Sequence, residues 1–156
     1  MGIENLDPDL VEVQALIARS DAFYTDLYPP ESNHLEDYQS LKLANVIFIG
    51  YRAETGLVAC GAAKVLDDDG TYAEIKRVFV DAQYRGQGLS VEIMRCLETE
   101  LVNKGIGIFR LETGTKQPQA ISLYRKLGYS ERGPYGSYTQ DPLSVFMEKQ
   151  ISRAGY

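Results

Sequence analysis

The stretch from Glu74 to Ser90 constrains this chain more than any other. An alternating, β-branched segment, Tyr72 to Val80, runs into Gln83-Tyr84-Arg85-Gly86-Gln87-Gly88, after which Leu89, Ile93, Leu97 and Leu101 recur every four positions. That spacing gives a helix one apolar face, so Leu89 to Lys104 reads as amphipathic helix. Glu92, Arg95, Glu98 and Asn103 lie on its other faces, and Gly105 stops it. Glycines just before a helix let the backbone approach a ligand closely. The first helical N–H groups have no internal partner and carry the positive end of the helix dipole. Together they suit a pyrophosphate, with Arg85 adding charge at the rim. The same residues also suit a tight strand-to-helix turn that binds nothing.

Other phosphate motifs fit poorly. No Gly-Lys-Ser or Gly-Lys-Thr is present, which excludes a nucleoside-triphosphatase loop. The three-glycine spacing of a dinucleotide fold is missing as well. Around the loop, periodicity predicts a strand over Ile3 to Leu6, then a helix opening at Pro8 with Leu10, Val13, Leu16, Ile17 and Phe23 on one stripe. That helix ends before Tyr28-Pro29-Pro30. A shorter helix is expected over Leu35 to Leu43. Strands follow at Val46 to Arg52, Leu57 to Leu66 and Tyr72 to Val80, joined by short Gly-containing turns as an antiparallel meander. After the long helix come a strand over Ile106 to Glu112 and a helix from Pro118 with Ala120, Leu123, Tyr124 and Leu127 on one stripe. Gly128 ends that helix, and strands over Tyr129 to Tyr135 and Leu143 to Lys149 close the chain. The order β-α-α-β-β-β-α-β-α-β-β is that of a mixed α/β sheet.

Length and charge narrow the functions. A chain of 156 residues suits one domain. The net charge of −6, with no basic stripe, argues against nucleic acid and mildly favours a cationic acceptor. No apolar run reaches the ~20 residues of a membrane helix, and Met1 to Leu6 lacks the features of a secretory signal, so no membrane and a cytoplasmic location are expected. Cys60 and Cys96 sit far apart in apolar settings and read as reduced core residues. One histidine, His34, and two separated cysteines offer no metal-ligand spacing.

Two motifs in order carry a resemblance. Gln83-x-x-Gly86-x-Gly88 after the strand Glu74 to Val80, followed by Ala120-Ile121-Ser122-Leu123-Tyr124-Arg125-Lys126-Leu127-Gly128-Tyr129, resembles the paired signatures of the GNAT acetyltransferase superfamily. The order of elements matches that fold over nearly the whole chain. The resemblance implies acetyl-CoA as co-substrate, no metal, and direct attack by a primary amine in a ternary complex. Val78, Phe79 and Val80 would offer main-chain groups to pantetheine where their strand splays from its neighbour. An N–H near Val80 would steady the oxyanion. Arg85, Gly86, Gln87, Gly88, Leu89 and Ser90 would hold the pyrophosphate, and Ala120 and Tyr124 would border the cofactor. Gln117 would join them at the cofactor, in a position where the family often has Asn. Tyr124 stands at the position of the usual general acid. Glu74 occupies a strand position where some members place the base, and Glu112 is a second candidate.

Tyr28-Pro29-Pro30-Glu31-Ser32-Asn33-His34 and the segment from Gly133 to Phe146 resemble a bacterial subgroup of small GNAT proteins of poorly defined substrate. In the GNAT fold these loops flank the acceptor. Tyr28, Glu31, Asn33 and Tyr135, with Tyr138, are therefore candidates for holding an ammonium group by charge and cation–π contact. Turn formation alone would also explain such residues. A small-molecule amine is the expected partner. Acylation of protein lysines or N-termini is a variant, and a non-catalytic acyl-CoA-binding module is the alternative from another class. Small family members are often dimers, so a homodimer is also expected.

Overall fold

The computed structural model describes residues 1–33 and 38–152. Seven strands form one sheet in the order β1-β2-β3-β4-β5-β7-β6. They are β1 (Gly2–Asn5), β2 (Val46–Ala53), β3 (Gly56–Leu66), β4 (Tyr72–Val80), β5 (Ile108–Gly114), β6 (Ser130–Arg132) and β7 (Ser144–Gln150). The helices are α1 (Val11–Leu27), α2 (Leu89–Asn103) and α3 (Pro118–Lys126). This is the expected mixed α/β sheet, and β2, β3 and β4 form the expected antiparallel meander. None of the described helices is long and apolar enough to cross a membrane.

Several boundaries differ from the sequence reading, each for a local reason. Helix α1 starts at Val11 because Pro8 and Asp9 form a turn, with the Asp9 amide bonded to Asp7 Oδ1 at 2.9 Å. It ends where Tyr28 turns extended ahead of Pro29. The helix expected over Leu35 to Leu43 lies partly outside the described residues, as does His34. Its described part is a single 3-10 turn, Ser40–Lys42. Strand β5 begins two residues late because the Ile106 amide still caps α2, bonding the Leu101 carbonyl at 3.0 Å. Strand β6 is short because Gly133-Pro134 cannot continue the ladder, proline having no N–H to give.

Strand alternation sends neighbouring side chains to opposite faces. Phe48, Cys60, Ala62 and Phe79 meet Val13, Leu16 and Ile17 of α1. Ile49, Ala59, Ala63, Ala73 and Ile75 meet Ile93, Met94, Leu97 and Leu101 of α2. Glu98 departs from the polar face assigned to it: it is buried, accepting from Tyr129 Oη at 2.8 Å and from Lys149 Nζ at 2.8 Å. Both cysteines are free. Burial pushes the Cys60 thiol up to about 12, and its Sγ donates to the Arg77 carbonyl.

The site is positioned by two irregularities of β4. Its pairing with β5 is parallel and covers only Ala73 to Ile75 against Phe109 to Leu111, after which the strands run on unpaired. On its other edge, Cys60 faces Phe79 and Ala62 faces Lys76, so Gly61 alone opposes Arg77 and Val78. This is a β-bulge. Arg77 takes a left-handed φ of 55° there. Helix α2 presses on the same point, since a Cβ on Gly61 would lie 2.5 Å from Ile93 Cγ2. Gly61→Ala is therefore expected to cost about 1–3 kcal/mol in urea denaturation. Unchanged stability would show that α2 can retreat.

Candidate active site

A cleft of about 630 Å³ opens where β4 and β5 part, bounded by α1, the loop before α2 and the start of α3. Val78, Phe79, Val80, Arg85, Gly86, Gly88, Leu89, Ser90, Gln117, Ala120 and Tyr124 all line it, as do Glu74, Glu112, Tyr28 and Asn33. Gln87, Glu31 and Tyr135 do not line it.

The loop end is shaped by backbone. Gly86 and Gly88 have φ of 80° and 79°, and a Cβ on either would meet nothing. Their left-handed backbone, not crowding, demands glycine. Gly88 caps α2, so the first N–H groups of a 15-residue helix face the cleft's rim. Arg85 does not extend freely. Its Nε donates to the Val80 carbonyl at 3.0 Å, and its guanidinium lies 4.7 Å from the Phe23 ring centre. The Tyr24 hydroxyl donates to the Val78 carbonyl at 2.7 Å. These carbonyls are two residues apart and share one edge of β4, so side chains cap the strand where β5 no longer pairs with it.

The two carboxylates occupy unlike surroundings. Glu74 is buried, and its Oε2 accepts from both Tyr135 Oη at 2.8 Å and Tyr138 Oη at 2.7 Å. Lys76 Nζ lies 3.6 Å from its Oε1. Burial, and then the Glu74 charge, push the Tyr135 phenol far above its ordinary value. Burial pushes Glu112 up to about 7, with Ser144 and Lys76 pulling it back and Glu74 and Asp141 adding to the rise. Ser144 Oγ stands beside Glu112 without a well-aligned hydrogen bond. Burial also raises the Tyr124 phenol, helped by nearby Tyr24 and Glu112.

Tyr28 closes one side. Its hydroxyl donates to Gln117 Oε1 at 3.0 Å and fills the space over Gly114, where an added Cβ would fall 1.7 Å from that oxygen. Ser32 Oγ donates to Asp141 Oδ2 at 2.5 Å, joining the segment after α1 to the loop before β7. Tyr24, Lys76, Gly114 and Lys116 line the cleft without having been singled out from sequence. Two of them carried a readable signal. Tyr24 precedes Tyr28 by one helical turn, and Lys76 shares a strand face with Glu74.

Known proteins resemble this chain in sequence and fold. The sequence model of the Acetyltransferase (GNAT) family matches residues 13–129. The chain is 42% identical over 139 residues to the IAA acetyltransferase of Azospirillum brasilense, covering 89% of this chain and 90% of that one. The chain belongs to the GNAT family. It is 35% identical to a solved structure from Klebsiella pneumoniae assigned to the acyl-CoA N-acyltransferases, with a TM-score of 0.77 and coverage of 96% and 97%. The PaiA N-acetyltransferase of Thermoplasma acidophilum, solved with coenzyme A, shares the fold at 20% identity and a TM-score of 0.71, covering 96% of this chain and 98% of that one. The GNAT chain described here is accordingly an acyltransferase.

Glu112 makes stability depend on pH. Its folded pKa of about 7 lies above the ordinary 4.5, so between those values the folded chain holds a proton that the unfolded chain releases. Stability then falls as pH rises through that window. Relative to Glu112→Gln, the parent chain is expected to lose on the order of 2 kcal/mol between about pH 5 and about pH 8. Urea denaturation at both pH values measures this, and a difference that stays flat would mean that Glu112 ionises like an exposed carboxylate.

Proposed function

We propose that this GNAT chain transfers the acetyl group of acetyl-CoA to the amine of a small acceptor, with Glu112 as general base and Tyr124 as general acid. The observation that carries the reading is that a buried carboxyl near neutral pKa and a buried, protonated phenol line one cleft at the parting of β4 and β5. The residues present suit an acyl-CoA. Left-handed glycines and free helical N–H groups at the start of α2 suit its pyrophosphate. The unpaired edge of β4, with carbonyls that already draw in donors from Tyr24 and Arg85, suits an extended chain of amides.

Bound acetyl-CoA supplies an activated thioester. Glu112 takes one proton from the acceptor ammonium, leaving a lone pair on nitrogen. The N–C bond forms as the C–S bond breaks. Tyr124 gives its phenolic proton to the departing sulfur, and the second nitrogen proton restores the phenol. The proton held by Glu112 then passes to water, so the products are an amide, free CoA and one proton. Glu74 is the weaker candidate for base because two phenols already occupy one of its oxygens. It anchors the loop that bears Tyr135 and Tyr138.

Release of free CoA across a panel of amines tests this reading. Tyr124→Phe is expected to lower kcat by about 100-fold or more, with the Kd for acetyl-CoA unchanged. Glu112→Gln should remove the rise of kcat/KM with pH near about 7. Full turnover in Tyr124→Phe would remove the tyrosine from the mechanism.

A further inference from the structure

Tyr24 takes no part in the proton transfers above, yet α1 sends it into the parting of β4 and β5. It lines the cleft, and its hydroxyl donates to the Val78 carbonyl at 2.7 Å. The Asp81 amide turns the other way, bonding the Val58 carbonyl of β3 at 2.8 Å, and Phe79 faces Cys60 on that side. Main-chain groups alternate in direction along a strand. Those of Val78 and Val80 therefore point into the parting, N–H and carbonyl together. Arg85 takes the Val80 carbonyl at 3.0 Å as Tyr24 takes that of Val78. With both carbonyls bonded, the N–H groups of the same two residues are the donors this edge presents to a ligand.

The Tyr24 hydroxyl is itself directed. Burial raises its pKa above the ordinary value, and the Gln117 amide beside it pulls the other way. An amide that favours the phenolate gives its N–H to the phenol oxygen. The oxygen of the same amide accepts from Tyr28 Oη at 3.0 Å. Gln117 thus joins two phenols set one helical turn apart on α1, and the proton of Tyr24 is left to Val78. This chain of contacts, from Tyr28 through Gln117 and Tyr24 to Val78, crosses from the start of α3 to the strand. It meets β4 at the residue after Arg77, whose left-handed φ of 55° makes this the least regular point of the strand. An edge that begins there needs holding if its donors are to stay aimed.

We propose that Tyr24 is a positioning residue for acyl transfer, held by Gln117 and Tyr28, that keeps the N–H groups of Val78 and Val80 aimed at the thioester carbonyl. The inference rests on the acetyl-transfer reading above and concerns the same site. Donors fixed in advance need no reorganisation as the carbonyl oxygen gains charge. Loss of the Tyr24 hydroxyl would also bare the Val78 carbonyl, whose partial negative charge would then face the forming oxyanion.

Infrared difference spectra of bound acetyl-CoA, with and without a carbon-13 label at the thioester carbonyl, read this directly. In the parent chain the carbonyl stretch is expected below its frequency in water. Tyr24→Phe, which keeps the ring, should move the band back up. It should also lower kcat with an accepted amine by ~10- to 100-fold, with a far smaller change in the Kd for acetyl-CoA. Gln117→Asn shortens the side chain by one methylene and should act in the same direction. The two substitutions combined should cost little more than Tyr24→Phe alone, since both break one chain of contacts. A tyrosine that only packs α1 on the sheet would lower the urea midpoint and leave the band where it was. An unmoved band in Tyr24→Phe would overturn the proposal, as would an unchanged kcat. If that variant does not fold, the same result in Gln117→Asn overturns it. Failure of the parent chain to bind acetyl-CoA would overturn the underlying reading instead.

Discussion

Arg77 holds a left-handed backbone conformation in the middle of a strand while its guanidinium lies buried against Asp21 of α1. A non-glycine residue takes that conformation only where the surroundings impose it. Here the bulge opposite Gly61 imposes it, and the ion pair rewards it. The extra residue re-aims the rest of β4, and the cleft depends on that change of direction. Below the bulge β4 is an ordinary parallel neighbour of β5. Above it, Val78 to Val80 have no strand on that side, and Tyr24 and Arg85 reach their carbonyls instead. Buried main-chain acceptors need partners, so the splay is stable only because α1 and the glycine loop supply donors.

Two glutamates on neighbouring strands then acquire different chemistry from their surroundings alone. Glu74 meets two phenols and a lysine, and Glu112 is buried beside a serine that stands close without a full hydrogen bond. The first arrangement fixes a carboxylate in place, and the second weakens its ionisation. Paired acids in one cleft can in this way be given unlike surroundings.

Most of the fold was legible because it rests on short-range patterns. The four-residue spacing of Leu89, Ile93, Leu97 and Leu101, the glycines of the loop and the alternation along Tyr72 to Val80 each follow local rules. What escaped depends on the third dimension. Glu98 reads as a surface residue until Lys149 and Tyr129, distant in sequence, converge on it. The short β6 and the late start of β5 reflect competition between a ladder and a cap, which no window of residues settles. Within the site, Gly86, Gly88 and Tyr124 stood out by motif. Choosing between Glu74 and Glu112 required knowing which one the tyrosines of a remote loop would reach.

Helix α1 ties these parts together along one side. Arg19 pairs with Asp81 at 3.0 Å beside the loop, Asp21 with Arg77 at the bulge, Tyr24 with Val78 on the splayed edge, and Tyr28 with Gln117 at the start of α3. Asp21, Tyr24 and Tyr28 follow helical spacing, so one face of the helix touches the bulge, the strand edge and α3 in succession, while Arg19 reaches the loop from another side. Each contact alone is modest, and the exposed Arg19 pair is worth little. Their collective effect is geometric. A shift of α1 by a single turn would uncap Val78, leave Arg77 without its carboxylate and lift Tyr28 off Gly114 together. The shapes of the cleft's two ends are therefore not independent, and a change in α1 that reshaped one would reshape the other.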